Sequence, residues 1–333
     1  MRRLIVGAVA FIILAAGYGV YLAYAPVEVA PAVRVLIERG DGSSMIATKL
    51  DEAGVLKSRT AFRVLARLRG VDRHLRPGLY EFEGPTRLND VIDILRDGRA
   101  VNVTVRVLEG WTIDQMANYF DQQLIFDSTE FIDATQNRDI LRDQNVPIDN
   151  LEGYLLPDTY EFFWGVKARE VVETMANANR ALFENDSIQA RMAELGWTRH
   201  EVLTLASMIE AETGLIDERA VISGVFHNRL DRGMLLQCDP TVIYAMGGLA
   251  PGQRLLRKHL AIDSDYNTYL NPGLPPGPIC NPGRSSIYAA LYPAETDAIY
   301  FVANGEGGHV FSETLNEHNR ASAELRRLRR EQR

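Results

Sequence analysis

The stretch Thr198-Arg199-His200-Glu201-Val202-Leu203-Thr204-Leu205-Ala206-Ser207-Met208-Ile209-Glu210-Ala211-Glu212-Thr213-Gly214 decides how the chain is read. Thr198 with Glu201 three residues on is a capping box, so a helix starts here, and Gly214 closes it. From Val202 to Ile209 the helix carries no charge, which makes it a helix buried nearly all round. Glu210 then emerges one turn from the end of a core helix, where apolar surroundings disfavour the carboxylate and raise its pKa. A general acid working near neutral pH needs that property. Taken alone, the helix favours a capping or salt-bridged glutamate. Glu212, two residues on, lies about 200° around the helix, so the two carboxyls do not form a facing pair.

Outward from this helix, a second one over Glu218–Arg232 places Val221, Ile222, Val225, Phe226 and Leu230 on one stripe and ends at Gly233. His227 falls at its exposed edge and reads as a solvated side chain. Ser207 reads as bonded to the preceding backbone rather than as a nucleophile. Four runs rich in Tyr, Asn, Pro and Gly surround the pair: Gly153–Tyr160, Leu236–Thr241, Tyr266–Tyr269 and Gly273–Gly277. Neither helical nor strand-like, they have the character of loops shaped around a ligand. Aromatic faces beside amides and carboxylates suit sugars, whose C–H faces stack on rings while hydroxyls need donors and acceptors. There is no G-x-S-x-G elbow, H-E-x-x-H pair, P-loop or G-x-G-x-x-G. His309 and His318 with Glu313 and Glu317 make too weak a set for a metal, and no cofactor is expected.

The 333 residues suggest about two folded units, and 46% apolar with 24% charged residues is ordinary globular composition. A net charge of −8 gives no basic surface for a phosphate backbone, so nucleic acid is not an expected partner. The two cysteines, Cys238 and Cys280, leave two readings open, a disulfide or two small buried thiols.

At the other end of the chain, Arg2 and Arg3 precede the uncharged run Leu4–Val27, about 36 Å of helix against a hydrocarbon core of about 30 Å. The run is read as a transmembrane anchor, although Ala23-Tyr24-Ala25 has the form of a signal-peptidase site. The arginines put the N-terminus in the cytoplasm and the rest outside, which in a bacterium is the periplasmic face of the inner membrane. Pro26 and Pro31 read as a short stiff linker before a strand at Val33–Ile37. Helices from Ser43 to Val55 and over Arg59–Leu68 and a strand at Leu79–Glu83 complete a βααβ order that resembles the LysM module, a binder of N-acetylated sugars. A helix at Leu88–Arg96, a strand at Val101–Leu108 and a helix from Trp111 to Phe120 follow; residues 121–150 read as loops and short helices. The expected architecture is α+β: anchor 1–27, LysM-like module and linker 28–109, and a mixed α/β catalytic domain 110–333 built on the buried helix.

Leu205–Thr213, Val225–Leu230 (Val-Phe-His-Asn-Arg-Leu), Leu236–Tyr244, Tyr266–Tyr269, Gly273–Gly277 and Phe301–Gly308 together closely resemble, in order, the signature runs of the endolytic murein transglycosylase family, also called YceG-like. The resemblance covers roughly residues 110–325. It implies a lyase that cleaves the β-1,4 bond between N-acetylmuramic acid and N-acetylglucosamine in nascent glycan strands, leaves a 1,6-anhydro end and terminates strand elongation. It also implies that Glu210 is the catalytic residue and that the protein works beside penicillin-binding proteins. Gln237, Asp239, Asn267, Thr268 and Tyr269 are the candidates for holding the sugar, from the clustering of the motifs. Hydrolysis stays open as an alternative, with Asp158, Asp239 or Asp265 as a second carboxylate, and so does a non-catalytic membrane-tethered scaffold.

Overall fold

The structure, a computed structural model, describes residues 17, 18, 21, 23–38, 40–123, 126–250 and 252–331. Most of the apolar run 4–27 lies outside the described residues, and no helix among the described residues is long and apolar enough to cross a membrane. The chain divides into two compact units, one of residues up to 105 with 161–166, the other of 106–160 with 167–333.

In the first unit β1 (Val27–Ile37) is followed by α1 (Ser43–Glu52), α2 (Arg59–Leu68), β2 (Gly78–Thr86) and α3 (Leu88–Asp97). The β-branched run of β1 pairs antiparallel with β2, from Val27 opposite Thr86 to Ile37 opposite Gly78. The linker expected at Pro26–Pro31 is therefore part of a strand, and Val27, the expected end of the anchor, is its first residue. A two-stranded sheet has only edge strands, and the register shifts between Val29 and Val33, so Pro31 removes no ladder bond that the pairing needs. Ser58 caps α2 by accepting from Ala61 N–H, and α2 turns Phe62 and Ala66 inward. With Ile46, Leu50, Tyr80, Phe82, Val91, Ile92 and Leu95 these close one apolar core. β3 (Asn102–Arg106), shorter than the strand expected at 101–108, pairs with β4 (Thr159–Phe163).

The second unit continues with α4 (Ile113–Gln122), α5 (Ser128–Thr135), α6 (Arg138–Asp143), α7 (Ala168–Phe183), α8 (Asp186–Leu195), α9 (Arg199–Glu212), α10 (Ile216–Asp231) and α11 (Asp239–Ala245). A 3₁₀ turn at Arg257–Ala261, α12 (Arg284–Leu291), the hairpin β5 (Tyr300–Ala303) and β6 (His309–Ser312), and α13 (Leu315–Glu331) complete it. α9 is the centre. Its capping box forms as the sequence requires, every residue from Val202 to Ile209 is buried, and α10, α11 and α12 pack around it. Ser207, on this helix, donates to Thr204 O at 2.7 Å and accepts from Ile279 N–H.

His227 departs from the expected solvated edge. Its ring stacks on Trp197 with centroids 4.7 Å apart, and Nε2 lies 2.9 Å from Ala290 O. Partial burial lowers its pKa. Periodicity placed it at the rim of the α10 stripe, and the neighbouring chain closes over that rim.

Candidate active site

Glu210 stands on the last turn of α9, and both of its oxygens are engaged. Oε1 accepts from Arg219 Nη2 at 2.7 Å, and Oε2 accepts from the Gly283 N–H at 3.0 Å. The Glu210 side chain is 6% exposed and that of Arg219 5%. Arg219 comes from the first turns of α10, which the turn at Thr213–Leu215 folds back beside α9. Its guanidinium also donates to Glu109 Oε2, at 3.3 Å from both Nη atoms, and to Ser285 Oγ. Glu109 lies against Gly283 so closely that any Cβ there would overlap its side chain. Burial raises the Glu210 pKa above the ordinary carboxyl value; the Gly283 N–H, the Ser286 hydroxyl and Arg219 pull it back, and Glu109 adds to the rise. A carboxyl raised in this way holds its proton more readily than a free one, which suits a group serving in turn as acid and base.

Beside it runs a cleft of about 950 Å³ lined by Gly110, Thr112, Asp114, Glu152, Ala211 and Tyr244, among others. Gly110 and Ala211 bring this cleft to Glu210: a Cβ on Gly110 would stand 3.5 Å from Glu210 Cγ. Asn281, two residues before Gly283, is fully buried and ties the 110–111 and 152–155 segments to its own. Its Oδ1 accepts from Gly153 N–H and Leu155 N–H, and its Nδ2 donates to Glu152 Oε1 at 2.7 Å and to Trp111 O. Asn281 also pairs through its backbone with Gly110 and Trp111. Two residues on comes the Gly283 N–H that holds Glu210.

Burial pushes Glu152 up to about 8 from 4.5, outweighing the Ile113 N–H and Asn281 donors that favour its carboxylate. A carboxyl whose folded pKa exceeds its unfolded one takes up a proton on folding, so its contribution falls as pH rises from about 4.5 to about 8. Thermal melts across that range should show Glu152→Gln flattening the decline. An unchanged slope would contradict the assignment.

Glu212 faces another way, as its angular position on the helix requires. It lines a cavity of about 390 Å³ with Arg229, Gln237, Asp239, Tyr269, Tyr300 and His309, among others. Burial lifts Glu212 to about 7, with the Cys238 thiol hydrogen-bonded to it. Tyr269 donates its hydroxyl to Asp239 Oδ1 at 2.6 Å. Of the five expected sugar-holding residues, Gln237, Asp239 and Tyr269 thus come together, but around Glu212, since Glu210 is not among the residues lining this cavity. Asn267 and Thr268 are fully buried. Asn267 donates to Leu260 O and Ile262 O, and Thr268 Oγ1 accepts from Cys238 N–H. Both brace the loop from buried positions. Asp158, one of the alternative second carboxylates, pairs with Arg284 at 3.5 Å. Cys238 and Cys280 are buried free thiols, so the disulfide reading does not hold; burial raises both thiol pKa values.

Sequence reading passed over Glu109, Glu152, Arg219, Asn281 and Gly283. Glu109-Gly110 and Asn281-Pro282-Gly283 carried a turn signal, but nothing local marks that each closes on Glu210.

The chain matches the YceG-like family over residues 35–324. It belongs to that family. The endolytic murein transglycosylase of Bacillus subtilis (strain 168) is 36% identical over 308 residues, 87% of this chain and 83% of its own length. The endolytic murein transglycosylase of Streptococcus pneumoniae (strain D39) is 29% identical over 326 residues, and the match takes in 58% of that longer protein. The 2.6 Å crystal structure of a putative YceG-like protein from Listeria monocytogenes superposes with a TM-score of 0.61 at 32% identity, covering 87% of this chain and 98% of that one. The family read from the six ordered motifs is the family found.

Proposed function

We propose that this YceG-like protein is a lyase, an endolytic peptidoglycan lytic transglycosylase, with Glu210 as its catalytic residue. The observation that carries the proposal is the buried Glu210 carboxyl beside the cleft of Gly110 and Ala211, in a chain 36% identical to an endolytic murein transglycosylase. In the proposed reaction protonated Glu210 gives its proton to the glycosidic oxygen as the bond from the muramoyl C1 breaks. The carboxylate so formed takes the proton of the muramoyl C6 hydroxyl, whose oxygen closes on C1. A 1,6-anhydro ring results, no water is consumed, and Glu210 ends protonated again. A hydrolase of the usual kind needs a second carboxylate about 5–9.5 Å from the first to act as nucleophile or to activate water. Glu109, which shares Arg219 with Glu210, is bound up with that guanidinium, which favours the single-carboxyl route over Glu109 as a second catalytic group.

The cavity of Gln237, Asp239, Tyr269 and Glu212 is proposed to hold an acetamido sugar along the strand, and the LysM-like first unit to hold glycan or to act as a spacer. The run 4–27 is proposed to anchor the chain in the inner membrane with the folded part in the periplasm, beside penicillin-binding proteins or other synthases, where cleavage would terminate strand elongation. Mass spectrometry of the membrane-extracted protein should find the run still attached; a mature chain beginning at Pro26 would remove the anchor. Incubating the detergent-solubilised protein with uncrosslinked glycan strands should shorten them, and intact strands would leave only the scaffold reading.

A further inference from the structure

Arg219 is 4% exposed, and its guanidinium is shared by two carboxyls. A general acid is neutral for part of every turnover. If Glu210 were the sole partner of Arg219, each protonation would leave a buried cation unpaired, an arrangement that strongly opposes the proton. The second partner removes that obstacle. Glu109 is 45% exposed, so its charge stays hydrated, and it receives Nη1 and Nη2 at the same 3.3 Å. Gly283 leaves the space that the Glu109 side chain fills, and the same residue's N–H holds Glu210. Among the described residues the ion pairs of Arg219 are with Glu109 and Glu210, while Asp114 and Glu152 line the neighbouring cleft. Cys280, from the segment before α12, is a buried thiol, and α12 offers the neutral Ser286. On α9 itself Glu212 lines the other cavity, and Asp239 of α11 is tied to Tyr269.

We propose that Glu109 is the standing counter-ion of Arg219, and that one guanidinium shared between Glu109 and Glu210 lets Glu210 alternate between acid and carboxylate. Glu109 is then a positioning residue that acts through Arg219. The proposal rests on Glu210 being the catalytic acid and base.

The test is the pH profile of strand cleavage by the full-length protein. Glu109→Gln leaves Arg219 with Glu210 alone, which favours the carboxylate. The alkaline limb of kcat should move down by about one pH unit, so that kcat on the falling limb drops about tenfold, one pKa unit being a factor of ten, with KM within about twofold. Glu109→Asp keeps the charge and should keep the limb near that of the unaltered protein. A Glu109→Gln limb that does not move, or one matched by Glu109→Asp, overturns the proposal. Should Glu109→Gln not fold, E109Q/R219Q removes both charges: an active double variant with its limb at or above that of the unaltered protein supports the pairing, and an unfolded or inactive one overturns it. Activity surviving Glu210→Gln would defeat the catalytic assignment. An inactive Glu210→Gln beside an unshifted Glu109→Gln would defeat only the role of Glu109.

Discussion

Glu210→Gln should abolish cleavage of glycan strands while the fold survives. The amide keeps the shape of the side chain, and its oxygen can still accept from Gly283 N–H or from Arg219. It cannot supply or regain the proton that the glycosidic oxygen requires. The expected loss in kcat is at least about a hundredfold, the lower end of what general acid–base catalysis contributes. Because the glutamine is uncharged in a place where burial already disfavours the carboxylate, the thermal midpoint should hold or rise. Glu212→Gln should cost less, since Glu212 lines the other cavity. The measurement is initial rate on strands beside a melt of each variant. Near-normal turnover by Glu210→Gln would move the site elsewhere.

The second large effect is on stability. Asn281→Ala removes four side-chain hydrogen bonds from a fully buried position. The Gly153 and Leu155 N–H groups lose their acceptor, and the buried Glu152 loses a donor. Buried groups stripped of partners cost about 1–3 kcal/mol each, so a loss of about 3 kcal/mol or more is expected even if some find water. Urea unfolding of the two proteins measures it. Asn281 also sets the chain that carries Gly283 and Gly110 to Glu210, so kcat should fall in whatever fraction remains folded. A loss below about 1 kcal/mol would mean that the segment is braced by other contacts.

What the sequence disclosed followed from how local each signal was. The α9 helix, its capping box and the divergence of Glu210 from Glu212 were all legible, because caps and angular position are properties of consecutive residues. The βααβ order of the first unit was legible for the same reason, while Pro31 misled: a proline tolerated at an edge strand looks, in one dimension, like a linker. His227 was misplaced because periodicity gives the direction of a side chain and not what another segment lays over it. The site divided in the same way. Gln237, Asp239 and Tyr269 lie in short motif runs and do meet, but Asn267 and Thr268 share those runs and turn inward as braces. Arg219, Glu109 and Gly283 come from three separate segments, and only folding brings them to one carboxyl.

The chemistry of the new chain ends tests the central claim most directly. Purified full-length protein and its Glu210→Gln variant are incubated with uncrosslinked glycan strands, and the ends are resolved by mass spectrometry. A single carboxyl that passes a proton out and takes one back without water predicts 1,6-anhydro-muramoyl ends from the unaltered protein and none above background from the variant. Reducing muramic acid ends, carrying one added water, would contradict it and require a second catalytic group.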